Sequence, residues 1–187
     1  MDITTELNGP SDLAALCAPE GALRAAWIYT PIGGMVAVAD AQALHLLEFP
    51  RVARLKAAFQ RLAPMVQGSN AVTHGLQDQL TAYFAGRRAG FDVPLARGAE
   101  TAFTAKVWDA VLAVPYGATA AYGAIGVRVG APKAARAVGR ANGANPFAIL
   151  VPCHRITSLD GALTGYAGGI WRKEWLLAHE GRGLKGG

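Results

Sequence analysis

The chain has 187 residues, of which 52% are hydrophobic and 17% charged, with a net charge of +5. That length holds one good core, or a small lobe beside an ordinary domain, and the composition excludes a disordered chain. No apolar stretch approaches the roughly 20 residues needed to span a bilayer, and the polar, acidic start "MDITTELNGPSDL" is unlike a signal peptide; a soluble cytoplasmic protein is expected.

Cys17 lies in the polar leader "AALCAPEG", far from the second cysteine, Cys153, and neither belongs to a CxxC pair. That spacing argues against a zinc site or a disulfide framework and leaves Cys17 inert. Residues 25–49 alternate as three short strands, "AAWIYTP", "GMVAVAD" and "ALHLLEF", with turns at Gly33-Gly34 and near Asp40, which predicts a small antiparallel sheet. His45 and His74 stand alone in the sequence and read as structural residues, so no metal is assigned. "VARLKAAFQRLA" places Val52, Leu55, Phe59 and Leu62 at helical spacing up to Pro64, and "LQDQLTAYFAG" repeats the pattern. "RRAGFDVPLARGAET" has Gly and Pro but no period. The chain therefore divides into an N-terminal α/β domain (1–85), a linker (86–100) and a helical C-terminal domain (101–187).

The charge is uneven. Residues 1–99 hold eight Lys/Arg and eight Asp/Glu, whereas residues 100–187 hold ten against five. A one-sided basic half suits a polyanion partner; a basic solvated surface is the plain alternative. In this half Thr104 is placed to cap "AKVWDAVLAV", with Val107, Val111 and Leu112 facing inward. After "PYGA", the segments "AAYGAIGVRV", "GAP" and "KAARAVGRAN" form the pattern of a helix-turn-helix, with Pro132 suited to the first turn of the second helix. On that helix Lys133, Arg136 and Arg140 fall within about a 60° arc, and Ala134, Val138 and Ala141 form another face. The alanines beside a basic stripe would let the helix approach a phosphate backbone closely; a solvated charged face would give the same pattern.

"AILVPCHRI" reads as an extended apolar segment ending at Pro152, which puts Cys153 at the edge of the core. A thiol of ordinary pKa is only a few per cent thiolate at neutral pH and needs an activating neighbour. His154 is adjacent, but neighbouring side chains of an extended segment point to opposite sides, so a bridging water is expected between them. Glu180 in "LLAHEG" is the candidate that orients the imidazole.

"VPCHRI", together with "PYGATAAYGAIG", "PKAARAVGRANGANP", "LTGYAGG" and "KEWLLAHEG", resembles the O6-alkylguanine-DNA alkyltransferases, also called methylated-DNA–protein-cysteine methyltransferases. The resemblance runs from about residue 102 to 181, and looser similarity extends to "LTAYFAGRRAGFDVPL". It implies an α+β protein: a ribonuclease-H-like N-terminal domain with a small antiparallel sheet, and a helical domain whose helix-turn-helix enters the minor groove of duplex DNA. It implies a target base flipped out of the stack and a single, irreversible transfer of its alkyl group to Cys153. The substrates would be O6-alkylguanine and O4-alkylthymine, and no cofactor or metal is implied. His154 and Glu180 match the relay behind the nucleophile, and Asn145 the residue that organises the active-site turn. Tyr122 matches the tyrosine that assists flipping and donates a proton to the guanine ring. Arg136 matches the arginine that replaces the flipped base, with Lys133, Ala134, Ala135, Arg140 and Arg128 in the DNA-binding surface. Tyr122, Ile156, Tyr166, Ala167 and Gly168 match the substrate pocket.

Ala167 stands where some relatives carry a serine, and the first lobe lacks the cysteine cluster that binds zinc or accepts methyl groups in others. A monomer is expected, with clustering along DNA left open. Two further classes would use similar residues. A non-catalytic alkyltransferase-like damage sensor typically has tryptophan in place of the cysteine, and a cysteine hydrolase would turn over and ignore DNA.

Overall fold

The alternating runs form three strands, β1 (Leu23–Ile28), β2 (Met35–Ala39) and β3 (Leu44–Glu48), in the computed structural model, which describes residues 6–184. The start of the leader, and with it the reading of the first residues, lies outside the described residues. β1 pairs antiparallel with β2, and β2 with β3. A fourth strand, β4 (Met65–Gln67), adds parallel to β1. Three residues carry too little alternation to announce a strand; the open edge of β1 makes this one.

Helices α1 (Pro10–Ala14) and α2 (Val52–Phe59) bring Leu13 and Leu55 into one cluster with Leu23, Ala25, Val36, Val38 and Leu46. α3 (Ala71–Phe84) packs on β2, with Leu76 and Leu80 fully buried. β2 is therefore buried along its whole length and not on one face alone. α2 ends at Phe59, five residues before the expected stop at Pro64, and α3 begins five residues earlier than the "LQDQL" pattern. Cys17 packs against this core, where burial raises its thiol pKa and so suppresses the thiolate.

The chain forms two compact units, one containing the residues up to Phe84 with Phe91–Ala96, the other Ala85–Gly90 with the chain from Arg97 onward. The segment 86–100 is shared between them: Leu95 bridges to Leu44 in the first unit, and Arg97 bonds Asp109 in the second.

The second unit contains α4 (Ala102–Leu112), β5 (Ala120–Ala121), α5 (Tyr122–Arg128), α6 (Ala135–Gly143), β6 (Ile156–Thr157) and α7 (Ile170–Gly181). Several local expectations are corrected here. The cap of α4 is Thr101, whose Oγ1 accepts the Thr104 amide at 3.2 Å, so Thr104 lies inside the first turn. Val107 and Val111 are buried as expected, but Leu112 is 42% exposed, because the helix ends there. α6 starts at Ala135, so Pro132 and Lys133 lie in the turn before it. Gly130, at φ 75°, provides the left-handed step that ends α5. "AILVPCHRI" is not extended: Ala148–Val151 turns, Ile149 takes φ 72°, and Cys153–Arg155 form a single 3-10 turn.

Thr101→Ala should cost about 1 kcal/mol of stability and Thr104→Ala clearly less, measured by urea unfolding.

Candidate active site

Asn145 builds the turn before the cysteine. Its buried amide donates to Val151 O at 2.9 Å and accepts from Phe147 N at 2.9 Å, and Val151 N closes the loop on Phe147 O. These bonds hold Ile149, a β-branched residue, in a left-handed conformation that costs on the order of 1–3 kcal/mol. The chain then enters the 3-10 turn with Cys153 buried, at 8% exposure, inside the core and not at its edge. The Cys153 carbonyl accepts from Asn142 Nδ2 at the end of α6, and Trp108 Nε1 ties α4 to Ala141 O at 2.9 Å. The nucleophile candidate and the second helix of the helix-turn-helix are thus joined by hydrogen bonds.

His154 is fully buried, and its Nε2 lies 2.9 Å from Glu180 Oε1. Arg155 Nε donates to Glu180 Oε2 and Nη2 to Oε1, both at 2.9 Å, and Gly117 N donates to Oε2 at 3.2 Å. A guanidinium fork and a backbone amide are the surroundings of an ionised carboxylate, which can only accept. His154 Nε2 therefore carries the proton. Burial holds the imidazole pKa below its ordinary value; Glu180 opposes the shift, while Arg155 and Lys173 add to it. The ring is neutral, and Nδ1, an acceptor in this tautomer, has no hydrogen-bond partner among the described residues. In a 3-10 turn, adjacent side chains lie about 120° apart, so Cys153 and His154 do not point to opposite sides as an extended segment would require.

Lys173 is fully buried, and its Nζ donates to Ile156 O at 2.6 Å and Thr164 O at 3.1 Å. Burial lowers its pKa, and the charge of Cys153 acts the other way, which places the ammonium within electrostatic reach of the thiolate. Arg172 Nη1 donates to Gly168 O at 2.6 Å. Successive cations at the start of α7 thus hold both ends of the loop that carries Tyr166, Ala167 and Gly168. Tyr166 and Ala167 are half-buried and Gly168 is buried. Parallel pairing of β5 with β6, Ala120 to Ile156 and Ala121 to Thr157, sets Tyr122 at the head of α5 beside the segment that follows the 3-10 turn.

Arg128, Lys133, Ala135, Arg136 and Arg140 are all exposed, and Ala134 is half-buried. Val138 and Ala141 face the core. Lys133 stands in the turn, so the stripe is made by α6 and the turn before it, not by one helix. Ala131 to Ala134 line a shallow cleft of about 410 Å³, walled mainly by small side chains. Sequence reasoning missed Arg155, Lys173, Arg172 and Asn142. Nothing local marks them, since "HRI" and "WRKEW" read equally well as ordinary surface charges. Among the described residues, no group of three or more His, Cys, Asp or Glu could hold a metal ion, and no helix is long and apolar enough to cross a membrane.

A family model described as the 6-O-methylguanine DNA methyltransferase, DNA binding domain, matches residues 102–182. A methylated-DNA–protein-cysteine methyltransferase of Salmonella typhimurium is 44% identical over 159 residues, covering 82% of this chain and 93% of its own. The protein of that name from Mycobacterium tuberculosis is 58% identical over 107 residues, 57% of this chain and 64% of its own. A solved O6-methylguanine methyltransferase of Mycobacterium tuberculosis aligns with a TM-score of 0.75 at 41% identity, covering 88% of this chain and 96% of that one. The OGT of that organism solved in complex with DNA aligns at 0.74 and 43% identity, over 85% and 93% of the two chains.

The buried neutral imidazole sets a pH dependence. His154 has a folded pKa below its unfolded value near 6.5, so below that pH the unfolded chain takes up a proton that the folded chain refuses. Its contribution is complete above about pH 7.5 and is lost as pH falls through 6.5, with a slope approaching about 1.4 kcal/mol per pH unit. Urea midpoints at pH 7.5 and 5.5 should differ more for wild type than for His154→Gln.

Proposed function

The chain belongs to the methylated-DNA–protein-cysteine methyltransferase family, and on that premise we propose that it repairs DNA by moving the alkyl group of O6-alkylguanine onto its own Cys153. The observation that carries this reading is the buried pair of His154 and Glu180 next to Cys153, with the imidazole neutral and its Nδ1 open. Such a base takes the thiol proton, through a bridging water, while Glu180 fixes the tautomer. The Lys173 ammonium favours the resulting thiolate by charge.

The thiolate sulfur attacks the alkyl carbon in line with the C–O6 bond. The S–C bond forms, the C–O6 bond breaks, and its electron pair passes to the guanine ring through O6. Tyr122 donates the proton that the ring takes up, and the proton lost by the thiol balances it. A thioether offers water no acyl carbon to attack, so each chain acts once. O4-alkylthymine presents the same kind of alkyl ether to the sulfur and is a second substrate.

Cys153 is buried and reaches O6 only when the base leaves the stack. The protein binds DNA through its helix-turn-helix. Arg136 fills the space of the flipped base, Lys133, Arg140 and Arg128 contact phosphates, and Ala134 and Ala135 allow close approach. Asn145 holds the active-site turn, and Tyr122, Ile156, Tyr166, Ala167 and Gly168 surround the base. One acceptor cysteine per chain needs no second copy, and the protein works as a cytoplasmic monomer.

Incubation with excess O6-methylguanine duplex should raise the intact mass by about one methylene and then stop. Cys153→Ala should show no rise, whereas label on Cys17 or repeated turnover would exclude the mechanism.

Arg136→Ala should slow repair in duplex DNA by an order of magnitude or more beyond any loss with free O6-benzylguanine, which needs no flipping. Lys133→Ala or Arg140→Ala should instead weaken DNA binding across sequences and reduce the slope of log affinity against log salt by about one.

A further inference from the structure

Glu180 receives more from Arg155 than from His154, although the relay by itself needs only the imidazole. The guanidinium grips both carboxylate oxygens, Nε to Oε2 and Nη2 to Oε1. Its third nitrogen, Nη1, donates to Val114 O at 2.7 Å, and the Tyr116 ring lies 5.8 Å from Cζ. The fork therefore cannot swing without breaking a buried bond. Gly117 N occupies Oε2 as well. Turning the carboxylate would break the Arg155 and Gly117 bonds along with the one to His154, so its plane is fixed and Oε1 is presented to His154 Nε2.

We propose that Arg155 is a positioning residue for alkyl transfer: its fork fixes Glu180 so that Oε1 holds the His154 Nε2 proton and Nδ1 is left as the base for Cys153. The proposal rests on Cys153 being the acceptor. Charge acts in the same sense as geometry. The charged or titratable groups acting on His154 are Glu180, Arg155 and Lys173, with the Cys153 thiol next to it in the chain. Glu180 favours a protonated ring, and the two cations oppose it. Without Arg155, His154 keeps a proton to higher pH and Glu180 loses its fixed plane. A lysine would restore the charge and not the fork.

The two contributions separate in the pH dependence of single-turnover alkylation by free O6-benzylguanine, a substrate that requires no DNA. Wild type, Arg155→Met and Arg155→Lys are compared by rate, by final intact mass and by near-UV circular dichroism. For the Met variant we expect a rate about tenfold lower at pH 8 and an acid limb moved to higher pH. For the Lys variant we expect the wild-type acid limb with a lowered plateau; this variant retains a buried cation and carries the test should Arg155→Met fail to fold. A folded Met variant with wild-type rate and acid limb would overturn the proposal. So would a loss confined to the amount of reactive protein, which is what a purely structural bolt would produce, or a Lys variant equal to wild type in both respects. Wild-type protein that takes no alkyl group onto Cys153 from either free O6-benzylguanine or O6-methylguanine duplex would overturn the alkyl-transfer reading itself, a failure distinguishable from all of these.

Discussion

The buried carboxylate of Glu180 is the constraint on which the second unit depends. An ion removed from water is tolerated only when its lone pairs are satisfied, and here donors converge from separate places in the chain. Gly117 comes from the loop after α4, His154 and Arg155 from the 3-10 turn, and the carboxylate itself from α7. Gly117 stands at φ 76°, and a Cβ there would lie 3.1 Å from the Glu180 carbonyl oxygen. Backbone conformation and space both call for glycine. Loop, turn and helix are held in register by one side chain, and the imidazole takes its orientation from the same contact.

A second set of contacts joins this centre to the proposed DNA-binding surface. α6 carries Arg136 and Arg140 outward, and its last turn carries Asn142, which holds the Cys153 carbonyl. The Asn145 turn follows directly and forces Ile149 into its strained conformation. Backbone strain of this kind persists only where the surroundings over-determine it. The helix proposed to hold the DNA and the turn that presents the thiol are therefore tied to each other by hydrogen bonds.

The electrostatics keep His154 neutral and able to take the thiol proton, and they favour the sulfur anion that this leaves. Arg155 and Lys173 both oppose a charge on His154, and Lys173 interacts favourably with a charge on Cys153. These cations are held by backbone carbonyls of Val114, Ile156 and Thr164, so their positions belong to the fold. Cys17 shows the contrast. It packs against an apolar cluster with no such neighbour, and burial alone drives its thiol toward the neutral form.

Much of this was written in local patterns. The alternation of residues 25–49 predicts β1 to β3, and the Gly-Pro turn between α5 and α6 predicts the helix-turn-helix, because strand and helix periods and turn chemistry depend on neighbours a few residues apart. Cys153, His154, Asn145 and Glu180 could be singled out by residue type and motif. Other features could be decided only by the tertiary structure. β4 exists because β1 has an open edge, and Thr101 outranks Thr104 as a cap because of where α4 meets the preceding chain. "AILVPCHRI" is apolar enough for a strand, yet the Asn145 side chain folds it into a turn. Arg155 and Lys173 look like surface charges in the sequence. Their partners lie at Glu180, Val114 and Thr164, and only packing brings a cation to a carboxylate or a carbonyl that far along the chain.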